Sequence, residues 1–152
     1  MNAKNTVTYR YGNEADLPRI KEMIAAGDLD ARDVIPQNVL LAEAEGIIVG
    51  INRVKYHPDG AAEIASAYVI HEYRGRRINE KLTRLLMEAA STKLYIITNP
   101  QNADYVKKMG FLDVRPIDGI PLSIQEKAEW CRVHYNVPDP GPSVLFYHPS
   151  ER

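Results

Sequence analysis

The sequence is poor in cysteine, in long apolar runs and in any excess of one charge. Its single cysteine, Cys131, cannot form an internal disulfide, which favours a reducing compartment. The longest apolar runs, such as GIIVGI, are far too short to span a membrane. The first residues, MNAKNTVTYR, have no apolar segment of the kind that a secretion signal requires. We therefore expect a cytoplasmic protein without a membrane partner.

The positive and negative charges of the chain nearly cancel. Nineteen Lys and Arg residues stand against twenty Asp and Glu residues, for a net charge of -1. A dedicated nucleic-acid-binding protein usually has a large positive excess, so we expect no nucleic-acid partner. The four histidines do not have the paired spacing of a metal site, and we expect no metal.

The length and the order of apolar patterns predict one α/β domain. The chain has 152 residues, 45% of them apolar, which is enough for a single domain, 1–152, with its own core. The patterns predict the order strand, helix, three strands, helix, strand, helix, strand, helix, strand. This order is typical of a mixed sheet with helices over its faces. The core is expected to cover about residues 6–114, and a proline-rich segment, 115–152, to complete the sheet.

Several turns and helix ends have local signals. Asn13 is expected to cap the helical segment that follows it. Glu45-Gly46 is expected to join strands two and three, and Asp59-Gly60 strands three and four. Ser123 and Glu126 have the spacing of a capping box at the start of the last helix.

The segment YRGRRINEKL, residues 73–82, is the strongest candidate for chemistry. It follows a predicted strand and begins a predicted helix, where unpaired backbone N–H groups and partial positive charge favour an anion. Its arginines offer rigid, paired donors that suit phosphate oxygens. A solvated basic surface would have the same composition, and this alternative stays open on the residues alone.

Two strings, EIASAYVIHEYRGRRINEKL and NPQNADYVKKMGF, each with a predicted strand before its helix, resemble the GNAT superfamily of acyl-CoA-dependent N-acyltransferases. The resemblance covers roughly residues 6–114. It implies a mostly antiparallel central sheet with a V-shaped split between strands four and five. It also implies an N-acetyltransferase in which a primary amine of a small molecule or peptide attacks acetyl-CoA, or another acyl-CoA, directly. The last strand could pair across a two-fold axis in a homodimer.

The resemblance implies a coenzyme site along strand four and the helix after it. The pantetheine arm would lie along the backbone of Ala67, Tyr68 and Val69, and an amide near Ala67 would polarise the thioester carbonyl. Asn99 and Asn102 match polar positions that flank the coenzyme, although capping a helix is an equal alternative for both. The diphosphate would rest on the loop and helix start formed by Arg74, Gly75, Arg76, Arg77, Ile78 and Asn79.

The loop departs from the family pattern at two positions. Where the family has small residues, usually glycine, this chain has Arg77 and Asn79. A left-handed backbone at Arg77 would cost roughly 1–2 kcal/mol, whereas a right-handed turn would not. The Arg77 side chain could contribute a charge-assisted hydrogen bond, on the order of 1.5–3 kcal/mol. If the coenzyme site has been lost, the alternative is a non-catalytic module that acts in protein interaction; a module that still binds acyl-CoA would be a sensor.

Glu63 is the candidate general base. It lies eleven residues before Arg74, the spacing at which the histone-acetylating branch of the family places its catalytic glutamate. Strand alternation would place Glu63 on the face of Ala65 and Ala67, whose small side chains leave room for a substrate. A solvent-facing residue at the end of the strand is the alternative.

Tyr105 is the candidate general acid. The family often has a tyrosine five residues before the phenylalanine of its KLGF-like ending, and Val106 stands there in this chain. Tyr105 is adjacent, but neighbouring residues of a helix point about 100° apart. The resemblance also suggests that the early loop, residues 28–37, and the proline-rich segment select the acceptor amine.

Overall fold

The computed structural model describes residues 6–114 and 119–149, and its element order is the predicted one. No helix in these two ranges is long and apolar enough to cross a membrane. The strands and helices are β1 (Thr8–Tyr11), α1 (Leu17–Ala26), β2 (Val39–Ala44), β3 (Ile47–Tyr56), β4 (Ala62–Val69), α2 (Ile78–Ala89), β5 (Leu94–Thr98), α3 (Ala103–Lys108), β6 (Leu112–Asp113), α4 (Leu122–His134) and β7 (Ser143–Tyr147).

Seven strands form one mostly antiparallel sheet, in the order β1-β2-β3-β4-β5-β7-β6. The α/β class and the mixed sheet are therefore confirmed. Strands β4 and β5 are parallel, and their ladder joins residues 62–64 to residues 94–96. The C-terminal strand β7 pairs antiparallel with both β5 and β6. The V-shaped split between β4 and β5 stays a prediction.

The chain divides into two compact units, of which the first contains residues 1–55 and 65–86. Its core packs the apolar face of α1 against β2 and β3. Asn13 caps the short 3-10 turn Glu14–Asp16 that precedes α1, since its side chain accepts a hydrogen bond from the Ala15 N–H. Glu45 and Gly46 have φ angles of 53° and 78°, as the tight hairpin between β2 and β3 requires. Both local predictions are confirmed.

The second unit contains residues 56–64 and 87–152. Its core lies around the buried side chains of Ala61, Tyr95, Ile120 and Ile124. The β3–β4 turn supplies an acceptor to α4, because the Asp59 carboxylate accepts hydrogen bonds from the Ser123 N–H at 3.0 Å and from its hydroxyl at 2.8 Å.

The capping box predicted for Ser123 and Glu126 is wrong. Helix α4 begins two residues earlier, with Pro121 in place of Ser123 at the N-cap position, and has no side-chain cap of its own. Ser123 therefore lies inside the first turn, where its N–H and hydroxyl bind Asp59. These hydrogen bonds hold the pKa of the Asp59 carboxyl below its usual value. The acceptor comes from a residue 64 positions away, which no local pattern reveals.

Candidate active site

The loop between β4 and α2 has two residues with left-handed backbone. Gly75 has a φ of 81° and Arg77 a φ of 60°. Glycine adopts this conformation freely, but for a residue with a Cβ it costs roughly 1–2 kcal/mol. Arg77 thus has the backbone conformation that the family pattern reserves for a small residue, and the right-handed alternative is excluded. Such strain is concentrated at functional sites.

Arg77 also begins α2. Its carbonyl accepts the first helical hydrogen bond, from the Lys81 N–H at 3.0 Å. The N–H groups of Ile78, Asn79 and Glu80 precede this bond and so have no acceptor within the helix. The Arg77 side chain has no acceptor atom to cap them. The start of α2 therefore offers backbone donors and partial positive charge to an anion.

Gly50 of β3 lets the start of α2 lie close to the sheet. A Cβ at Gly50 would lie 3.1 Å from Ile78 Cγ2 and 3.4 Å from Val69 Cγ2. Ile78 is buried, whereas Arg74 and Arg77 of the same loop are exposed. The contact between Gly50 and Ile78 thus holds the start of α2 against β3, while the arginines of the loop remain on the surface.

Two loop arginines lie against tyrosine rings. The Arg74 Nε donates to the Val69 carbonyl at 2.9 Å, and its guanidinium carbon lies 5.6 Å from the centre of the Tyr68 ring. The Arg76 guanidinium carbon lies 4.6 Å from the centre of the Tyr73 ring. These contacts orient both side chains along the loop. They also occupy the Val69 carbonyl, one of the groups predicted to face the pantetheine arm.

The side-chain oxygen of Asn79 lacks a hydrogen-bond donor among the described residues. Its Oδ1 is buried, and among the described residues it has no hydrogen-bond partner. Buried polar atoms usually have partners, so this atom suits a ligand that brings an N–H or O–H group. The amides of a pantetheine arm are such donors, whereas phosphate oxygens are acceptors. On this observation and the loop backbone, the residues present fit acyl-CoA.

Strand β4 is not regular where the thioester site was predicted. Ser66 has a φ of 67°. Alternation of side chains requires extended backbone at each residue, so the shared face expected for Ala65 and Ala67 does not continue through Ser66. Ala67 is exposed, and Tyr68 and Val69 are half-buried.

Glu63 belongs to a buried group of charged side chains. Its Oε1 lies 2.9 Å from His57 Nε2, and its Oε2 lies 2.8 Å from Lys127 Nζ. Only 2% of Glu63 is exposed, so the solvent-facing alternative is excluded. Burial raises the pKa of the Glu63 carboxyl, but the hydrogen bond to His57 and the charge of Lys127 outweigh it and lower the pKa below 4.5. Glu63 is therefore ionised, and its role as a base stays a prediction.

The candidate acid and the two asparagines lie near α3. Tyr105 is 43% exposed, whereas Val106 is buried, as their adjacent positions on a helix require. Asn99 precedes the short turn Pro100–Asn102, Asn102 precedes α3, and neither side chain caps the element that follows. The capping alternative is wrong for both, and their contact with a coenzyme stays a prediction.

The sequence did not reveal the partners of Glu63. Lys127 lies three residues after Ile124 and four before Cys131, both buried on α4, so its position on the apolar face of the helix could have been read. His57 follows the last residue of β3. Nothing in its local sequence indicates a contact with Glu63. Sequence reasoning also missed Arg53, which is buried and bound to Ser66.

Comparisons with known proteins identify a matching family and solved structures with a similar fold. The family model described as "Acetyltransferase (GNAT) family" matches residues 9–111. The chain is similar to N-acetylglutamate synthase from Neisseria gonorrhoeae complexed with coenzyme A and N-acetyl-glutamate, with 14% identity and a TM-score of 0.72 over 96% of this chain and 36% of that one. It therefore spans about a third of that synthase chain. No curated protein matches the chain in sequence.

Two further structures are similar over nearly their whole length. The first is yncA from Salmonella typhimurium with acetyl-CoA, with 17% identity and a TM-score of 0.63 over 97% of this chain and 96% of that one. The second is Arabidopsis thaliana Naa50 in complex with a bisubstrate analogue, with 18% identity and a TM-score of 0.57 over 92% of this chain and 97% of that one. At such identities the likeness concerns the fold.

Proposed function

Because the chain belongs to the acetyltransferase (GNAT) family, we propose that it is an acyl-CoA-dependent N-acyltransferase. It transfers an acetyl group from acetyl-CoA to a primary amine of a small molecule or peptide. The observation that carries this proposal is the left-handed backbone of Arg77 beside Gly75. The loop keeps a strained conformation without the glycine that would relieve it, and retention of strain is typical of a working site.

The loop and the start of α2 hold the coenzyme in this proposal. Backbone N–H groups at the start of α2 and the Arg77 guanidinium bind the diphosphate. The buried Asn79 Oδ1 accepts from an amide of the pantetheine arm, and the backbone near Ala67 orients the thioester carbonyl. Asn99 and Asn102, which precede α3, are proposed to contact the coenzyme. When bound, acetyl-CoA supplies a thioester with a thiolate leaving group.

Glu63 and His57 take up the amine proton in this proposal. A carboxylate with a lowered pKa is a weak base, but it orients a neighbouring imidazole, which accepts protons efficiently near neutral pH. Glu63 is ionised beside Lys127 and contacts His57 at 2.9 Å. The amine proton therefore passes to this pair, directly or through a water. Tyr105 is the proposed proton donor to the departing thiolate.

Binding and turnover are tested separately. Acetyl-CoA at about a hundred times its dissociation constant stabilises a binder by roughly 2.7 kcal/mol, which thermal unfolding detects. Thiol release is then measured with a panel of amino acids, polyamines and peptides. No stabilisation by any acyl-CoA would contradict both the transferase and a coenzyme sensor. Stabilisation without thiol release across the panel would favour the sensor.

A further inference from the structure

We propose that Arg53 is a positioning residue that fixes the early loop, residues 28–37, to the strained part of β4. The proposal rests on the proposed transferase function and on the expectation that the early loop selects the acceptor amine. Arg53 lies on β3 and is only 2% exposed. Its guanidinium is held between two segments that are far apart in sequence.

The guanidinium binds the early loop through backbone carbonyls. Its Nη2 donates to the Asp30 carbonyl at 2.8 Å and to the Arg32 carbonyl at 3.2 Å, and its Nη1 donates to the Asp33 carbonyl at 3.1 Å. Three carbonyls of one loop thus converge on a single planar group. Such rigid, divergent donors fix backbone more firmly than one ammonium group can.

The same guanidinium binds β4. Its Nε donates to Ser66 Oγ at 2.9 Å. Ser66 and Asp33 both have left-handed backbone, with φ angles of 67° and 54°, which is unfavourable for residues with a Cβ. Arg53 therefore contacts two strained residues at once. Strain of this kind persists only where surrounding contacts impose it, and Arg53 supplies a contact to each residue.

Lys55 supports the same arrangement. It lies two residues after Arg53 and therefore on the same face of β3. Its Nζ is 3.2 Å from Asp30 Oδ2 and 3.9 Å from Asp33 Oδ2, and its side chain is 6% exposed. Two buried cations of β3 thus hold the early loop, but only Arg53 also reaches Ser66.

The Arg53 contacts link the position of the early loop to the position of the β4 backbone at Ala67. Ser66 immediately precedes Ala67, whose backbone is proposed to orient the thioester carbonyl. Because Arg53 binds both the early loop and Ser66, a shift of one segment is expected to shift the other, including the backbone of Ala67. Arg53 therefore acts on acceptor selection without touching the acceptor, through the position of the early loop.

Amide hydrogen exchange tests the connection without any substrate. Ser66→Ala removes only the hydroxyl, and Ser91→Ala is the matched control at an exposed loop position. Ser66→Ala is expected to speed exchange in residues 28–34 by about tenfold, because it removes the acceptor of Arg53 Nε and also the weak direct hydrogen bond that the hydroxyl donates to the Asp30 carbonyl at 3.5 Å. Unchanged exchange in the early loop would overturn the connection. An equal rise in all segments would show a merely structural role and overturn it too.

Arg53→Lys and Arg53→Met test the effect on coenzyme binding and on turnover. Arg53→Lys keeps the charge but loses the planar donors, so it is expected to leave acetyl-CoA affinity within about threefold while lowering kcat/KM for the amine by about tenfold. Arg53→Met is expected to lose more, and Arg53→Lys to recover part of that loss. Equal losses for coenzyme and amine would overturn the positioning role. Failure of the wild-type chain to bind acetyl-CoA would instead overturn the proposed function, while the exchange result still decides the connection.

Discussion

Glu63 Oε2 lies 2.8 Å from Lys127 Nζ, and the two side chains are 2% and 5% exposed. Each therefore neutralises a charge that has almost no access to water. Such a pair adds little net stability over an apolar pair of the same size, but removal of one partner leaves a buried charge without its opposite charge. The Glu63–Lys127 pair thus joins the start of β4 to α4. Substitution of either residue tests whether the pair contributes to stability.

Lys127→Met is expected to lower the free energy of unfolding by about 3–5 kcal/mol, because the Glu63 charge loses its cationic partner in the interior. The quantity is measured by urea unfolding at neutral pH. Lys21→Met, at an exposed position of α1, is the matched control and is expected to change stability by no more than about 0.5 kcal/mol. The double variant Glu63→Gln/Lys127→Met should recover part of the loss, and strict additivity of the two single changes would contradict a direct pair.

The Glu63 carboxyl also makes stability depend on pH. Its folded pKa is lower than the usual 4.5, so it contributes stability above pH 4.5 that is lost as the pH falls through the folded value. The groups that face it are His57 and Lys127. The stability difference between wild type and Glu63→Gln is therefore expected to shrink as the pH falls below about 4.5.

Denaturant unfolding from pH 7 downwards measures this difference. Other carboxyls with lowered pKa values, such as Asp16 and Glu129, titrate in both proteins and so cancel in the comparison. A difference that grows on acidification would mean that the carboxyl is favoured in its neutral form and would contradict the ionised pair.

Two variants of Arg77 test separately what its left-handed backbone and its guanidinium charge contribute to the loop. Arg77→Gly removes both the guanidinium and the unfavourable left-handed conformation, whereas Arg77→Ala removes only the guanidinium. Arg77→Gly is expected to be more stable than Arg77→Ala by roughly 1 kcal/mol. Both are expected to weaken acetyl-CoA binding by about tenfold or more, since a charge-assisted hydrogen bond is worth about 1.5–3 kcal/mol.

Calorimetric titration with acetyl-CoA and thermal unfolding measure the two effects. Arg84→Ala removes the same charge from the exposed face of α2, where Arg84 pairs with Glu80, and should leave acetyl-CoA affinity nearly unchanged. If Arg77→Gly binds as tightly as wild type, the guanidinium does not contact the diphosphate. The loop would then act through its backbone alone.

The sequence predicted those features that depend on neighbouring residues. The turn at Glu45-Gly46, the cap at Asn13 and the start of α2 near Ile78 each have a signal within a few positions, and each is present. The order of strands and helices followed from such signals. Fold class was predictable because local propensity and tertiary packing agree along this chain.

The details of the candidate site depend on distant residues and were not predictable in the same way. Ser123 binds Asp59, and Lys127 binds Glu63, across 64 positions in each case. The left-handed backbone of Ser66 interrupts a strand whose sequence, AEIASAYV, reads as regular alternation. No propensity favours serine in that conformation. The Ser66 hydroxyl accepts a hydrogen bond from Arg53, 13 positions away, which no local pattern reveals.

Gly50 provides a test of the loop that changes none of its residues. Gly50→Ala would place a Cβ 3.1 Å from Ile78 Cγ2, so the Ile78 side chain must move by a few tenths of an ångström, and we expect the first turn of α2 to follow it. We expect acetyl-CoA to bind about tenfold more weakly, with a loss of stability of about 1–3 kcal/mol from the crowded contact. KM for acetyl-CoA should rise while kcat is largely kept, because the displaced turn is proposed to bind the diphosphate and not the reacting carbonyl.

Gly119→Ala is the matched control, since a Cβ at Gly119 has no atom of the described residues within 4 Å, and it should change neither acetyl-CoA affinity nor stability. Titration with acetyl-CoA and urea unfolding of both variants give the comparison. A stability loss in Gly50→Ala with unchanged acetyl-CoA affinity would show that the first turn of α2 can move without consequence for the coenzyme. The diphosphate would then have to bind elsewhere than at the amides that Ile78 holds in place.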